Sequence, residues 1–144
     1  MPLTKELYVV GIGASAGGLE SMQKMLPGLA VNGRIAYVVA QHMPKNGDNA
    51  LLLRLLNHDC RLQVFEAKTG DYLEPDRIYF IPSGYDGVVK QGRIQLLPPS
   101  PNHLSTPSVN ALLSSMAKDL GKRAIGVVLS GTGSDGVAGC REIK

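Results

Sequence analysis

Three strand-length runs that fail to alternate between apolar and polar residues constrain this chain more than anything else in it. Leu7–Ile12, Ile35–Ala40 and Ala124–Leu129 are apolar almost throughout. A strand of that kind is buried on both faces, as in a parallel sheet lying under helices. Helical spacing fills the intervals. Leu19, Met22, Met25 and Leu26 recur before a stop at Pro27-Gly28, and Leu51, Leu52, Leu55 and Leu56 follow the start signal Asn46-Gly47-Asp48. Leu62–Phe65 reads as a further short strand. Strands alternating with helices predict an α/β fold: a doubly wound, mostly parallel sheet with helices on both faces.

The middle of the chain departs from this rhythm. Arg77–Ile81 is a strand, and Gly87–Lys90 with Arg93–Leu97 predicts a small antiparallel hairpin around Gln91-Gly92, where Gly92 takes a positive φ. A loop carrying Pro98, Pro99, Pro101 and Pro107 leads to a helix over about Ser108–Leu120, with Gly121 as its stop. Val137–Lys144 reads as the start of a last helix.

With 144 residues the chain fits one domain. At 44% hydrophobic and 19% charged it is not a disordered sequence. Its net charge of +3 is scattered, without the interleaved basic and aromatic residues that track nucleic acid, so no nucleic-acid partner is expected. No apolar run approaches the ~20 residues of a membrane span, and residues 1–6 lack the pattern of a signal peptide. A soluble cytoplasmic domain without membrane insertion is expected, with Cys60 and Cys140 as free thiols.

In an open parallel sheet all strand C-termini reach one edge, and ligands bind there. Ser15 follows the first strand, His42 the second, and Asp135 the strand at 124–129. Together they are the parts of an acyl-transfer triad: a nucleophile, a base that takes its proton, and a carboxylate that orients the base. Each has a plainer reading. Gly13-Ala14-Ser15-Ala16-Gly17 fits the G-x-S-x-G nucleophile elbow, but Gly11-x-Gly13-x-x-Ala16 also fits a dinucleotide fingerprint. That fingerprint wants an acid near the end of the second strand, and residues 30–41 contain no Asp or Glu. A lone histidine in His42's place is more often structural, and Asp135 alone would be a helix cap. His58 and Cys60, His103, and Ser130 with Ser134 are weaker candidates, and no His/Cys/Asp/Glu cluster has metal-ligand spacing.

Three segments carry a resemblance: Val9–Gly18, Gln41-His42-Met43-Pro44, and Leu129–Gly136 (Leu-Ser-Gly-Thr-Gly-Ser-Asp-Gly). In order and spacing they resemble the CheB-type protein-glutamate methylesterase family, as do Tyr79-Phe80-Ile81-Pro82 and Thr106–Asn110. The chain order Ser, His, Asp differs from the Ser, Asp, His of α/β-hydrolases. The resemblance implies a carboxylic ester hydrolase that cleaves glutamate methyl esters, and deamidates glutamines, on chemoreceptor (methyl-accepting chemotaxis protein) helices, with no metal or cofactor. It places the triad on Ser15, His42 and Asp135, and an oxyanion or active-site loop on Ala16, Gly17 and Thr132. Ala16 stands where the family often has Thr, Thr132 where it often has Met, and Asn110 where it often has Asp. The resemblance further implies that residues 1–144 lack the family's last strand and helix, and that methyltransferase and sensor domains are fused or associated partners. A catalytically weak signalling module of the same fold and a nucleotide- or phosphate-binding α/β domain are the alternative readings.

Overall fold

The computed structural model describes residues 7–15, 19–42, 48–58, 60–98, 107–129 and 143. In chain order the elements are β1 (Tyr8–Ala14), α1 (Leu19–Met25), β2 (Ile35–Gln41), α2 (Asn49–Asn57), β3 (Gln63–Glu66), β4 (Arg77–Phe80), β5 (Asp86–Lys90), β6 (Arg93–Leu97), α3 (Val109–Leu120) and β7 (Ala124–Leu129). Five strands form one sheet in the order β3-β4-β2-β1-β7, and every pairing within it is parallel. β5 and β6 form a separate antiparallel pair.

The apolar runs do what their composition requires. β1 alternates its side chains between two cores, Val9 going to one and Val10, Ile12 and Ala14 to the other. α1 and α2 cover the second core with Met22, Leu52 and Leu56, joined by Leu26 from the 3-10 turn after α1. α3 covers the first with Val109, Leu112, Leu113, Met116 and Leu120, all buried. Each such side chain contributes about 1.5–3 kcal/mol by leaving water. The helix starts are chemically defined. Asp48 accepts from the Leu51 N–H at 3.0 Å, and Ser108 accepts from the Ala111 N–H at 3.2 Å. The buried Asp86 carboxylate in turn accepts the Ser108 N–H at 2.8 Å, fixing α3 to the hairpin.

β1 runs on through Gly13 and Ala14, which the sequence alone assigns to the turn. Both are paired on both sides, with β2 and with β7, so the ladder overrides the local turn preference of glycine. In the hairpin turn, Gln91 takes a positive φ (53°) as well as Gly92 (74°). The Asp119 carboxylate at the end of α3 accepts both of their N–H groups, at 2.6 and 3.0 Å, and this holds the turn in place.

Candidate active site

Ser15 is the first residue after β1, and His42 the first after β2. The two strands are adjacent and parallel, and Ala14 faces Gln41 as the last pair in register. The ladder continues one step further, because the His42 N–H donates to the Ala14 carbonyl at 2.8 Å. Ser15 and His42 therefore leave the sheet at the same edge, about one strand spacing (~4.8 Å) apart. Both are half-buried. β7 ends at that edge on the other flank of β1, with Leu129 opposite Ala14. Asp135, Ala16, Gly17 and Thr132 lie outside the described residues, as do His103, Ser130, Ser134 and Cys140.

The strand order also places this edge at the winding reversal. From β1 the chain moves outward to β2 and on to β3 two places beyond it, steps back to insert β4 between them, and later places β7 on the opposite side of β1. Open α/β sheets bind ligands beside such a reversal, at the strand C-termini.

The glycines that left two sequence readings open have a packing role. A Cβ on Gly13 would lie 2.2 Å from Val109 Cγ1, and one on Gly11 would lie 2.6 Å from Leu113 Cδ2 and 2.7 Å from Met116 Sδ. Their missing side chains are the space into which α3 packs. The Gly-x-Gly pattern is thus accounted for without a pyrophosphate.

Sequence reasoning missed one polar residue of this edge. Gln41 closes an otherwise apolar strand and is only 2% exposed. Its Nε2 donates to the Ser15 carbonyl at 2.8 Å, with a longer contact of 3.4 Å to the His42 carbonyl. Its Oε1 is buried without a hydrogen-bond partner among the described residues. The available signal was a glutamine ending a buried run directly before His42.

The weaker candidates lie elsewhere. His58 caps the C-terminus of α2 and is exposed. Cys60 is a free thiol whose Sγ donates to the Leu26 carbonyl at 3.6 Å, and burial pushes its pKa up, which disfavours the reactive thiolate. A cavity of about 700 Å³ borders the β3 edge of the sheet and includes neither Ser15 nor His42. Several of its polar groups are already partnered. Arg77 pairs with Glu74 at 2.8 Å and lies over the Phe65 ring, and the Asn57 side chain exchanges two hydrogen bonds with the Val64 backbone. We read it as a surface groove separate from the strand-end chemistry.

These features define a class: a doubly wound α/β domain with a serine and a histidine on adjacent strand ends at the winding reversal. The family described as CheB methylesterase matches residues 10–144, and the chain belongs to that family. Among curated relatives, a protein-glutamate methylesterase/protein-glutamine glutaminase of Myxococcus xanthus is 40% identical over 139 residues, covering 94% of this chain and 40% of the relative. One from Syntrophotalea carbinolica is 39% identical over 142 residues, covering 94% of this chain and 39% of the relative. The chain thus spans about two fifths of the length of these relatives. The crystal structure of the Thermotoga maritima CheB methylesterase catalytic domain matches with a TM-score of 0.84 at 28% identity, covering 95% of this chain and 74% of that one.

Proposed function

We propose that this domain carries the catalytic centre of a carboxylic ester hydrolase acting on glutamate methyl esters of chemoreceptor helices in the cytoplasm. Ser15 is the nucleophile, His42 the general base and acid, and Asp135 the group that orients His42. The observation that carries the reading is the emergence of Ser15 and His42 from paired strand ends, tied by the His42 N–H to the Ala14 carbonyl. The names of the relatives supply the substrate class.

The chemistry follows from the residue types. His42 takes the Ser15 hydroxyl proton as Oγ bonds to the ester carbonyl carbon, and the carbonyl electrons move onto oxygen. Backbone N–H groups of the Ala16–Gly17 turn, with the Thr132 loop, form the site for that oxyanion. The oxyanion collapses, the bond to methoxide breaks, and the proton held on His42 leaves with it as methanol. Water then attacks the glutamyl–serine ester with His42 again as base, the bond to Ser15 Oγ breaks, Oγ takes the proton back from His42, and the glutamate carboxyl is released. A glutamine side chain follows the same path with ammonia leaving, which accounts for a deamidase activity on the same residues.

The test is covalent trapping. A fluorophosphonate should label Ser15 of the full-length protein, and Ser15→Ala should abolish both labelling and methanol release from methylated receptor. Label found elsewhere, with methanol release intact in Ser15→Ala, would overturn the nucleophile assignment.

A further inference from the structure

The amide of Gln41 joins the two strand ends that carry Ser15 and His42. Two carbonyl oxygens, those of Ser15 and His42, face the same end of this side chain, at 2.8 and 3.4 Å. Only the NH2 end can face two acceptors, so the orientation of the amide is determined by its partners. Oε1 is thereby turned into the interior, where it has no donor among the described residues. A buried acceptor without a donor opposes folding. A methionine, nearly the same length and fully apolar, would fill this space without that penalty. Packing among the described residues therefore gives no reason for an amide here, while its donor end lies on the carbonyl of the proposed nucleophile.

We infer that Gln41 is a positioning residue for the esterase, setting the Ser15 peptide group relative to His42 through its Nε2 bridge. The inference rests on the reading of Ser15 and His42 as nucleophile and base. Its physical content is specific. A non-proline peptide bond is planar and almost always trans, with its C=O and N–H antiparallel. Anchoring the oxygen to Gln41 fixes the direction of the N–H on the other side of the same peptide. In an elbow serine hydrolase, the N–H of the residue after the nucleophile is an oxyanion-hole donor. Gln41 also sits one residue before His42 and opposite Ala14. One buried side chain thus spans both backbones at the point where they leave the sheet, without needing to touch the substrate.

The experiment uses the full-length protein with p-nitrophenyl acetate as the probe, comparing wild type, Ser15→Ala, Gln41→Met and Gln41→Glu. Gln41→Met should lower kcat by about ten- to a hundredfold, less than outright loss of an oxyanion donor costs. KM should stay within about twofold, since binding contacts are untouched. Its thermal midpoint should equal or exceed that of wild type. Gln41→Glu can donate toward the Ser15 carbonyl only when its carboxyl is protonated, so its kcat relative to wild type should rise as the pH is lowered. For a purely structural residue any rescue would follow the thermal midpoint of the variant, since a buried carboxylate opposes folding. Both kcat and midpoint are therefore measured at each pH, and the rescue should appear where the midpoint is constant. Wild-type kcat in Gln41→Met, or a loss matched by a lower thermal midpoint, overturns the positioning role while leaving Ser15 and His42 in place. Equal rates in wild type and Ser15→Ala instead overturn the esterase reading, and the role of Gln41 with it.

Discussion

His42 donates its backbone N–H to the carbonyl of Ala14, the residue before Ser15, at 2.8 Å. This is a rung of the β1–β2 ladder carried past the end of the strands, so the sheet itself fixes the separation of the two backbones. Sites held by regular elements are positioned more tightly than sites held by loops alone. The proposed nucleophile and base inherit that rigidity.

The first prediction follows from this placement. Ser15 lies at the edge and outside both hydrophobic cores, so Ser15→Ala should remove ester hydrolysis with little change in stability. His42→Ala should nearly match it. Asp135→Asn should reduce kcat by about 10⁴, the factor seen when a triad carboxylate is neutralised. Steady-state kinetics alongside thermal melts of each variant check all three. Substantial turnover in Asp135→Asn would remove that residue from the triad.

A second prediction concerns the glycine that the elbow motif and α3 share. A Cβ on Gly13 would sit 2.2 and 2.6 Å from the two γ-methyl carbons of Val109. Val109 is β-branched, stiff, and at the first turn of α3, so it has no free end to swing aside. Gly13→Ala should cost about 1–3 kcal/mol of stability by overpacking. Adding Val109→Ala should recover part of the loss, because the two residues share one space. Denaturant unfolding of the single and double variants measures the coupling. Additive effects would mean that the clash is relieved elsewhere.

The parallel sheet, and the exit of Ser15 and His42 at one edge of it, were legible in the continuous apolar runs and their closing residues, whereas the strand order β3-β4-β2-β1-β7 was not, because a run buried on both faces does not name its neighbours. Nor was the role of Gly11 and Gly13. A glycine in a strand pattern signals close approach without naming the partner, and the partner, α3, is remote in sequence. Gln41 was hidden for a related reason. One polar residue after an apolar run looks like the first residue of a loop, and only the register with Ala14 shows it to be buried and turned toward Ser15. The extra positive φ at Gln91 was likewise invisible, since it depends on the Asp119 carboxylate holding the turn.

The third prediction is a loss of stability in alkali. Burial is the leading cause raising the pKa of Cys60, Tyr37 and Tyr79, from ordinary values of 9.0 for the thiol and 10.0 for the phenols. Each group holds its proton more tightly when folded. Its stabilising contribution is therefore complete below the ordinary value and is lost as the pH rises from there toward the raised value. The unfolding free energy should fall as the pH passes upward through the thiol and phenol range. Tyr79 accepts the Glu74 N–H and donates to the Tyr72 carbonyl, both at 3.1 Å. Tyr79→Phe should lower stability at neutral pH and flatten the alkaline decline. An unchanged slope in that variant would assign the decline to other groups.

The last prediction concerns β7. A parallel strand is ordinarily covered on both faces, whereas β7 leaves apolar side chains exposed among the described residues. Among the described residues it pairs with β1 alone, at one end of the sheet. Ile125 is 41% exposed and Val128 36% exposed. Ile125 pairs with Val10, which faces the α1–α2 core, whereas Val128 pairs with Gly13, which faces α3. Apolar surface is thus open on both sides of one edge strand, the arrangement that invites edge-to-edge association. The 144-residue polypeptide by itself should self-associate in sedimentation or light scattering as its concentration rises. Ile125→Lys with Val128→Lys should reduce that association with little loss in thermal midpoint, because both side chains are already partly in water. We further propose that an added strand and helix cover this edge in a longer polypeptide, which should then stay monomeric and show higher esterase activity. A polypeptide of residues 1–144 that remains monomeric at high concentration and matches the longer one in activity would show that β7 needs no such cover.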